Sequence, residues 1–455
     1  MPVVLPNLDT IEDDVRAALR DEDLDRLGRL LLRVHPADVA EIIDRLEPKD
    51  RVEAFRVLSR DAKAEVLDEV SPEATRQLLT SLPPDQVGPL LNRLPMDDAA
   101  EILSEDVPER RDELLSAMSP SDADDVRALL AYPPNSAGRM MTEKFVRVRR
   151  DMTAAETISA LRGIGPEVDT ITYLYAVDDG GRLLGVCSLR EVVTGGPHRP
   201  LANLLRTEVV AVRPETDQEE MARTMSRYDF SALPVVREDG VMLGVVTIDD
   251  VFDVFLRESG EDLLRMGGMD AEGLNQPYFS IPILRVIRKR IGWLLLLFVA
   301  GTLTGEVLRI FEDQLVEVVA LSFFIPLLIG TGGNTGAQTV STLIRGLALG
   351  EIRFKDTSRV LARELTSGVI LGLILGIVAF GRALLWDSSA RLSLVVALAI
   401  VCIVTWANTM GALIPLVAHR FRIDPAMISA PLITTVVDAT GLAIYLLIAI
   451  PILGI

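Results

Sequence analysis

Beyond residue 280 the chain carries five apolar stretches, near 291–311, 316–340, 364–386, 391–417 and 426–450. Each is long enough to cross a hydrocarbon core of about 30 Å as a helix. Lipid offers the backbone no hydrogen bonds, so this half of the chain is restricted to a bundle of spanning helices. Basic residues orient such bundles toward the cytoplasm. Arg285, Arg288, Lys289 and Arg290 precede the first stretch. Arg345, Arg353, Lys355, Arg359 and Arg363 lie between the second and third, and His419, Arg420 and Arg422 between the fourth and fifth. The link from first to second carries Glu312, Asp313 and Glu317 instead, and Trp386 marks an interface near the short third link. The expected topology is five crossings of the plasma (inner) membrane, with the N-terminus cytoplasmic and the C-terminus outside.

One ionisable residue, Asp438, falls in the middle of the fifth stretch, PLITTVVDATGLAIYLLIAI. A carboxylate at mid-bilayer costs roughly 2.5–3.5 kcal/mol or more, so it calls for a function. It lies about 18 Å along its helix at ~1.5 Å per residue. Three roles are open: a structural hydrogen bond, a proton relay, or a site for a permeating cation. A relay needs a chain of titratable groups, and spans two to five offer no other interior acid, His or Lys. Five spans are few for a complete pathway. A dimer with the path near its two-fold axis would duplicate Asp438 into a carboxylate ring, and such rings select cations. Carboxylate, amide and carbonyl oxygens suit a hard divalent ion, with Mg²⁺ kept partly hydrated. Span two ends in GTGGNTGAQ, whose glycines and Asn334 suggest a broken or thinned helix with exposed carbonyls, or alternatively close helix packing.

Charge separates the two halves. The chain has 46 Lys/Arg and 65 Asp/Glu. Residues 281–455 hold 14 and 10 of these, a balance of +4, which leaves 32 and 55, a balance of −23, in residues 1–280. That field repels nucleic acid and concentrates cations. The two cysteines, Cys187 and Cys402, are far apart in sequence and imply no disulfide or zinc site. The start, MPVVLPNLDTIEDD, reads as no cleaved leader.

The acidic half contains two repeats. Pro36, Pro48, Pro72, Pro84, Pro108 and Pro120 fall in a twelve-residue register, with Arg60 and Met96 in the vacant places. Proline at the first helical position, an acid in the first turn and apolar residues at helical spacing predict one short helix per unit. Stacked units make a superhelix. The second repeat is a duplication: VRVRRDMTAAETISAL parallels VAVRPETDQEEMARTM, and LYAVDDGGRLLGVCSLREVV parallels LPVVREDGVMLGVVTIDDVF. Each copy reads strand, helix, strand, Gly-containing turn, strand, helix.

The duplicated unit resembles a cystathionine-β-synthase (CBS) domain pair, a module that commonly binds adenine nucleotides or metal. With YPPNSAGRMMTEKFV, GTGGNTGAQ and DPAMISAPLITTVVDATGL, nearly the whole chain resembles the MgtE family of magnesium channels. The expected architecture is multidomain. An all-α superhelical N-domain covers 1–132, and an α/β CBS pair covers 138–200 and 201–257. A connecting plug helix covers 258–280, and an α-helical transmembrane domain of five spans covers 281–455.

The resemblance implies a homodimeric Mg²⁺-selective channel that imports Mg²⁺ and is closed by intracellular Mg²⁺. It places Asp438 at the pore ion site, Asn334 in the pore motif and Asp424 at the cytoplasmic mouth. Regulatory Mg²⁺ would be held by Asp217, Glu219, Asp229, Asp250 and Asp253, by Glu258, Glu261 and Asp262 on the plug helix, and by Asp97 in the N-domain. Glu101 stands where the family has an aspartate, and Glu65 is a weaker match. The CBS cleft has room for ATP, with Tyr173, Arg190, Glu191 and Phe230 as contacts. Two other readings remain: a proton- or Na⁺-coupled divalent cation transporter, and a membrane-anchored nucleotide sensor. No phosphate loop or nucleophile–base pair suggests an enzyme, and the three histidines are scattered.

Overall fold

Every position in the twelve-residue register opens a helix. The computed structural model describes residues 8–164, 168, 170–271, 274, 281–348, 350–386, 389–421 and 428–455. The helices Pro36–Arg45, Pro48–Arg56, Pro72–Ser81, Pro84–Leu91 and Pro120–Leu130 start on proline. Arg60–Glu69 and Met96–Glu101 start at the two vacant places, and Pro108 opens a single 3₁₀ turn. Proline's missing N–H is harmless there, because the first helical N–H groups have no intrahelical acceptor. Most of these helices pack on the helix two along, which winds the array into a superhelix. Arginines close the opposite ends. Arg51, 6% exposed, donates to the carbonyls of Ile43, Asp44 and Leu46 beyond the Pro36–Arg45 helix. Arg110 does the same for Leu79 and Leu82.

The chain divides into two compact units, Met1–Glu258 with Gln276–Ile281, and Ser259–Asn275 with Pro282–Ile455. In the first, the superhelix continues into the duplicated α/β module. Strand Phe145–Val148 lies parallel to Thr170–Val177, which pairs antiparallel with Leu183–Ser188. The second copy pairs Ala232–Val236 with Met242–Thr247, while its first strand is reduced to one bridge, Val212 to Val235. The copies interleave rather than meet at a sequence boundary. Residues 137–142 bond into the second copy through Ala137 to Thr216 and Thr142 to Val245, and Arg206 bonds back to Val186 in the first. The two hairpin tips pair through Leu183 to Gly240 and Met242 to Gly181. Apolar residues of the superhelix and of the second copy form one continuous core.

The helix Ile248–Met266 ends the second copy and runs unbroken past residue 258, so the expected start of a separate plug helix lies inside one continuous helix. It stops at Gly267–Gly268, where Gly268 has φ 75°, in the left-handed region. A side chain on Gly268 would also strike the indole of Trp293 at 2.4 Å, so glycine is required twice over.

The second unit holds five helices long and apolar enough to cross a membrane among the described residues: Ile283–Ile310, Val319–Leu347, Phe354–Leu384, Ala390–Arg420 and Ala430–Leu453. These are called spans one to five below. Span two is helical without interruption from Ile325 to Ala348, through the glycine motif. The glycines serve close packing and do not break the helix. A Cβ at Gly332 would meet Ile403 at 2.6 Å and Val437 at 2.9 Å, and one at Gly336 would meet Ile433 at 2.9 Å.

Candidate functional site

Two places gather chemistry, one in each unit. In the membrane unit, spans two and five pack along the glycine motif. Asp438 projects toward Gly333: its Oδ1 lies 3.6 Å from where a side chain on that glycine would begin, with Thr434 beside it. Glycine leaves the carboxylate against bare backbone. Asn334, the next residue, is exposed. Asp438 is only half-buried, and its carboxylate has no hydrogen bond or ion pair to a described residue. The structural-bond role therefore has no support, and the side chain keeps its oxygens available. Asp424 lies outside the described residues.

In the first unit, acids of the superhelix meet acids on the helix Ile248–Met266. Asp97, 7% exposed, and Asp98 open the helix Met96–Glu101, which widens into a π-helical turn at Ile102. Asp68 and Glu69 end the helix Arg60–Glu69. Burial pushes the Asp98 carboxyl up to about 10, and the charges of Asp97, Asp68 and Asp250 add to that. The neighbouring Asp68 carboxyl is raised too, by withdrawal from water and by the charges of Glu69, Asp253 and Asp249. Burial raises Asp250 to about 6 against the stabilising Thr247 hydroxyl. Asp253 is raised by burial and by Glu69, Glu101 and Asp249. Arg257 is the cation set among them, donating to Glu101 at 3.0 Å and to Gln218 at 3.2 Å.

The structure thus brings together Asp97, Glu101, Asp250 and Asp253 from the expected set. It does not bring in the rest. Asp217 caps the helix Gln218–Tyr228 at one end and Asp229 at the other, about 18 Å apart at ~1.5 Å per residue. They cannot share an ion within one chain. Glu219 pairs with Arg223, Glu258 accepts from Gln218 at 2.7 Å, and Glu261 pairs with Arg265 at 2.8 Å. Asp262 follows Glu261 on that helix, and Glu65 is exposed on the helix Arg60–Glu69. Sequence reading missed Asp68, Glu69, Asp98 and Asp249. A signal existed: Asp68 and Glu69 put negative charge at a helix C-terminus with no basic residue in the last turn, which the helix dipole disfavours. Among the described residues no three acidic, His or Cys side chains converge tightly enough to hold one ion. Mg²⁺ retains several waters and takes one or two carboxylates at a time, so this donor set fits it.

A cavity of about 850 Å³ opens between the two α/β copies. Tyr173, Arg190, Glu191 and Phe230 all line it, together with Arg206. Glu191 closes a capping box with Ser188 and pairs with Arg206 at 3.1 Å. Hydrogen bonds from the Ser188 backbone hold its carboxyl below the usual range.

Family profiles match three parts of the chain: MgtE intracellular N domain over 34–135, CBS domain over 137–195 and 201–257, and MgtE, divalent cation transporter, over 325–448. The magnesium transporter MgtE of Thermus thermophilus is 42% identical over 325 residues, covering 71% of this chain and 72% of that protein. The chain belongs to the MgtE family. It is therefore a member of a magnesium transporter family, not of an enzyme family, and a multi-pass membrane protein. The MgtE of Bacillus subtilis is 36% identical over 329 residues, covering 72% of each. The solved cytosolic domain of an Mg²⁺ channel MgtE in complex with ATP shares 38% identity at a TM-score of 0.51, covering 53% of this chain and 99% of that one. The soluble part of a magnesium transporter shares 28% at 0.50, covering 56% and 100%. These likenesses agree with the helical N-domain and CBS pair seen here.

Proposed function

We propose that this MgtE is a Mg²⁺-selective channel that imports Mg²⁺ across the plasma membrane as a homodimer and closes when intracellular Mg²⁺ is plentiful. The observation that carries the reading is Asp438, a mid-span carboxylate with no partner among the described residues, set against bare backbone beside the exposed Asn334. Two copies about a dimer axis form a carboxylate ring that attracts cations. Inward flow needs no fuel, since the membrane potential favours cation entry by ~2.3 kcal/mol per charge per 100 mV.

Closure draws on the acids of the N-domain and the CBS pair. In the compact arrangement Asp68, Asp97, Asp98, Asp249, Asp250 and Asp253 lie close enough to repel one another. Bound Mg²⁺ supplies the positive charge that makes this arrangement favourable. When it is scarce, the same carboxylates repel and the compact form loses population, because a ligand shifts an equilibrium only by its preference for one state. The helix Ile248–Met266 carries both the acids and the chain that leads to span one.

Asp438→Ala, expressed in a host lacking its own Mg²⁺ uptake, abolishes Mg²⁺-dependent growth; full growth with normal expression defeats the pore assignment. Mg²⁺ in the millimolar range increases protease protection of residues 130–280. Mg²⁺ current is insensitive to an imposed proton gradient, and a current that follows the gradient favours the coupled-transporter alternative. The CBS cavity carries a second reading, ATP bound by Tyr173, Arg190, Glu191 and Phe230, supported by their common lining of one cleft. Loss of ATP binding in Arg190→Ala checks it.

A further inference from the structure

Where the ends of four spans meet, the membrane unit holds a second kind of site. The start of span two, the end of span three, the start of span four and the end of span five enclose a cavity of about 870 Å³. That size is within the range of small-molecule ligand sites. Its walls are apolar and aromatic: Phe323, Phe324, Trp386 and Leu453. Its polar lining among the described residues is Ser389 and Arg391, with no acidic side chain. The Ser389 hydroxyl is already engaged, accepting from the Leu392 amide at 3.2 Å. Arg391 forms no hydrogen bond or ion pair with a described residue. Arg382 has none either; its guanidinium lies over the Trp386 ring, 4.1 Å from the centroid. Two cations with no counter-charge among the described residues therefore flank a hydrophobic recess at one end of a spanning bundle.

An occupant must bring an apolar body and an anionic head. A soluble anion satisfies the arginines but leaves the aromatic walls wet. A zwitterionic lipid fills the recess, but its own ammonium group competes with the guanidinium groups for its phosphate and is repelled by them. We infer that this cavity binds an acidic phospholipid, with its phosphate at Arg391 and Arg382 and its acyl chains against Phe323, Phe324 and Leu453. The tryptophan suits the depth, since its amphipathic ring favours the headgroup boundary. The planar guanidinium suits phosphate, which it meets with two parallel donors. The lipid would add to span ends that already pack together, where the Tyr445 hydroxyl donates to the Leu321 carbonyl at 3.1 Å, and the site is independent of the pore and of the acidic cluster.

The test is native mass spectrometry of the full-length protein in detergent, titrated with dioleoyl-phosphatidylglycerol or dioleoyl-phosphatidylcholine. The glycerol lipid is expected to be retained at least ten times better. Arg382→Gln with Arg391→Gln is expected to remove that preference. Ala320→Trp fills the cavity from its lining and leaves both charges in place, and it is expected to reduce retention of the acidic lipid as well. Equal retention of the two lipids by the unaltered protein overturns the proposal, and that measurement stands even if a variant fails to fold. Unchanged retention in the double arginine variant also overturns it. Displacement of the lipid by millimolar inorganic phosphate, or unchanged retention in Ala320→Trp, shows a bare anion site and refutes the acyl-chain part. A Phe323→Cys variant that cross-links between protomers in place of lipid binding shows that a second copy of the chain fills the recess, and it refutes the proposal too.

Discussion

Asn408 stands in span four with 2% of its surface exposed. Its amide oxygen accepts from the Thr339 hydroxyl of span two at 2.9 Å, and its nitrogen donates to the Glu364 carbonyl of span three at 3.3 Å. One side chain thus ties three helices. Hydrogen bonds between membrane helices average about 0.6 kcal/mol and reach about 1.7. Asn408→Leu keeps the branched shape and removes both bonds, so it should cost about 1 kcal/mol or more, read as a shifted midpoint of unfolding in mixed detergent. Glu191 gives a pH dependence. Its carboxyl is held below the ordinary value by Ser188, so its contribution is present above about pH 4.5 and is lost as pH falls through the lowered value. Hydrogen exchange in residues 183–194, corrected for intrinsic rates, should rise over that acid window, and Glu191→Gln should flatten the rise.

Spans three and four form the most intimate helix pair in the membrane unit. Gly368, Gly372 and Gly376 lie one turn apart and face Thr405, Val401 and Ala397. A Cβ at Gly372 would meet the Val401 Cα at 2.9 Å, and one at Gly368 would meet the Thr405 Cα at 2.8 Å. In lipid, helices gain little by hiding apolar surface from one another, and small residues that let backbones approach supply the attraction. Gly372→Val should drive the pair apart at a cost of at least the 1–3 kcal/mol typical of an overpacked core, about the upper end because backbone cannot yield. The check is the yield of monodisperse protein and its thermal midpoint, beside Gly381→Val, where a Cβ meets open space. The superhelix follows a different logic. Its short helices carry acids in the first turn, and arginines close the far end of some of them, as Arg51 does for Pro36–Arg45.

Span ends meeting at one cavity require successive spans to alternate in direction. With the basic links inside, Gly454→Cys should react with a membrane-impermeant maleimide on intact cells, and Lys355→Cys only after permeabilisation, both in a background of Cys187→Ser and Cys402→Ser. The reverse pattern would invert the proposed orientation. Arg257 bears on the first unit as a body. It offers the positive charge that bridges the Met96–Glu101 helix to the CBS pair through Glu101 and Gln218. Arg257→Ala should loosen the N-domain at low Mg²⁺, seen as faster proteolysis between residues 130 and 145, with high Mg²⁺ restoring protection.

Much of this molecule was legible in one dimension because the signals are periodic or local. A proline every twelve residues, two parallel strand–helix cassettes and five apolar lengths each report a constraint that acts within a few turns of chain. The reading of Asp438 as a residue needing a function likewise rests on where it falls along a single span. The acidic cluster was half legible: Asp97, Glu101, Asp250 and Asp253 were expected, but Asp68 and Asp98 became partners only when helices distant in sequence packed together. The glycines of span two show the same limit. Composition allows a broken helix or a tight contact, and the facing side chains of Ile403, Val437 and Ile433 decided for contact. Which amide ties three spans, and which arginines border an apolar recess, depend on positions far apart in the chain, and only packing sets those.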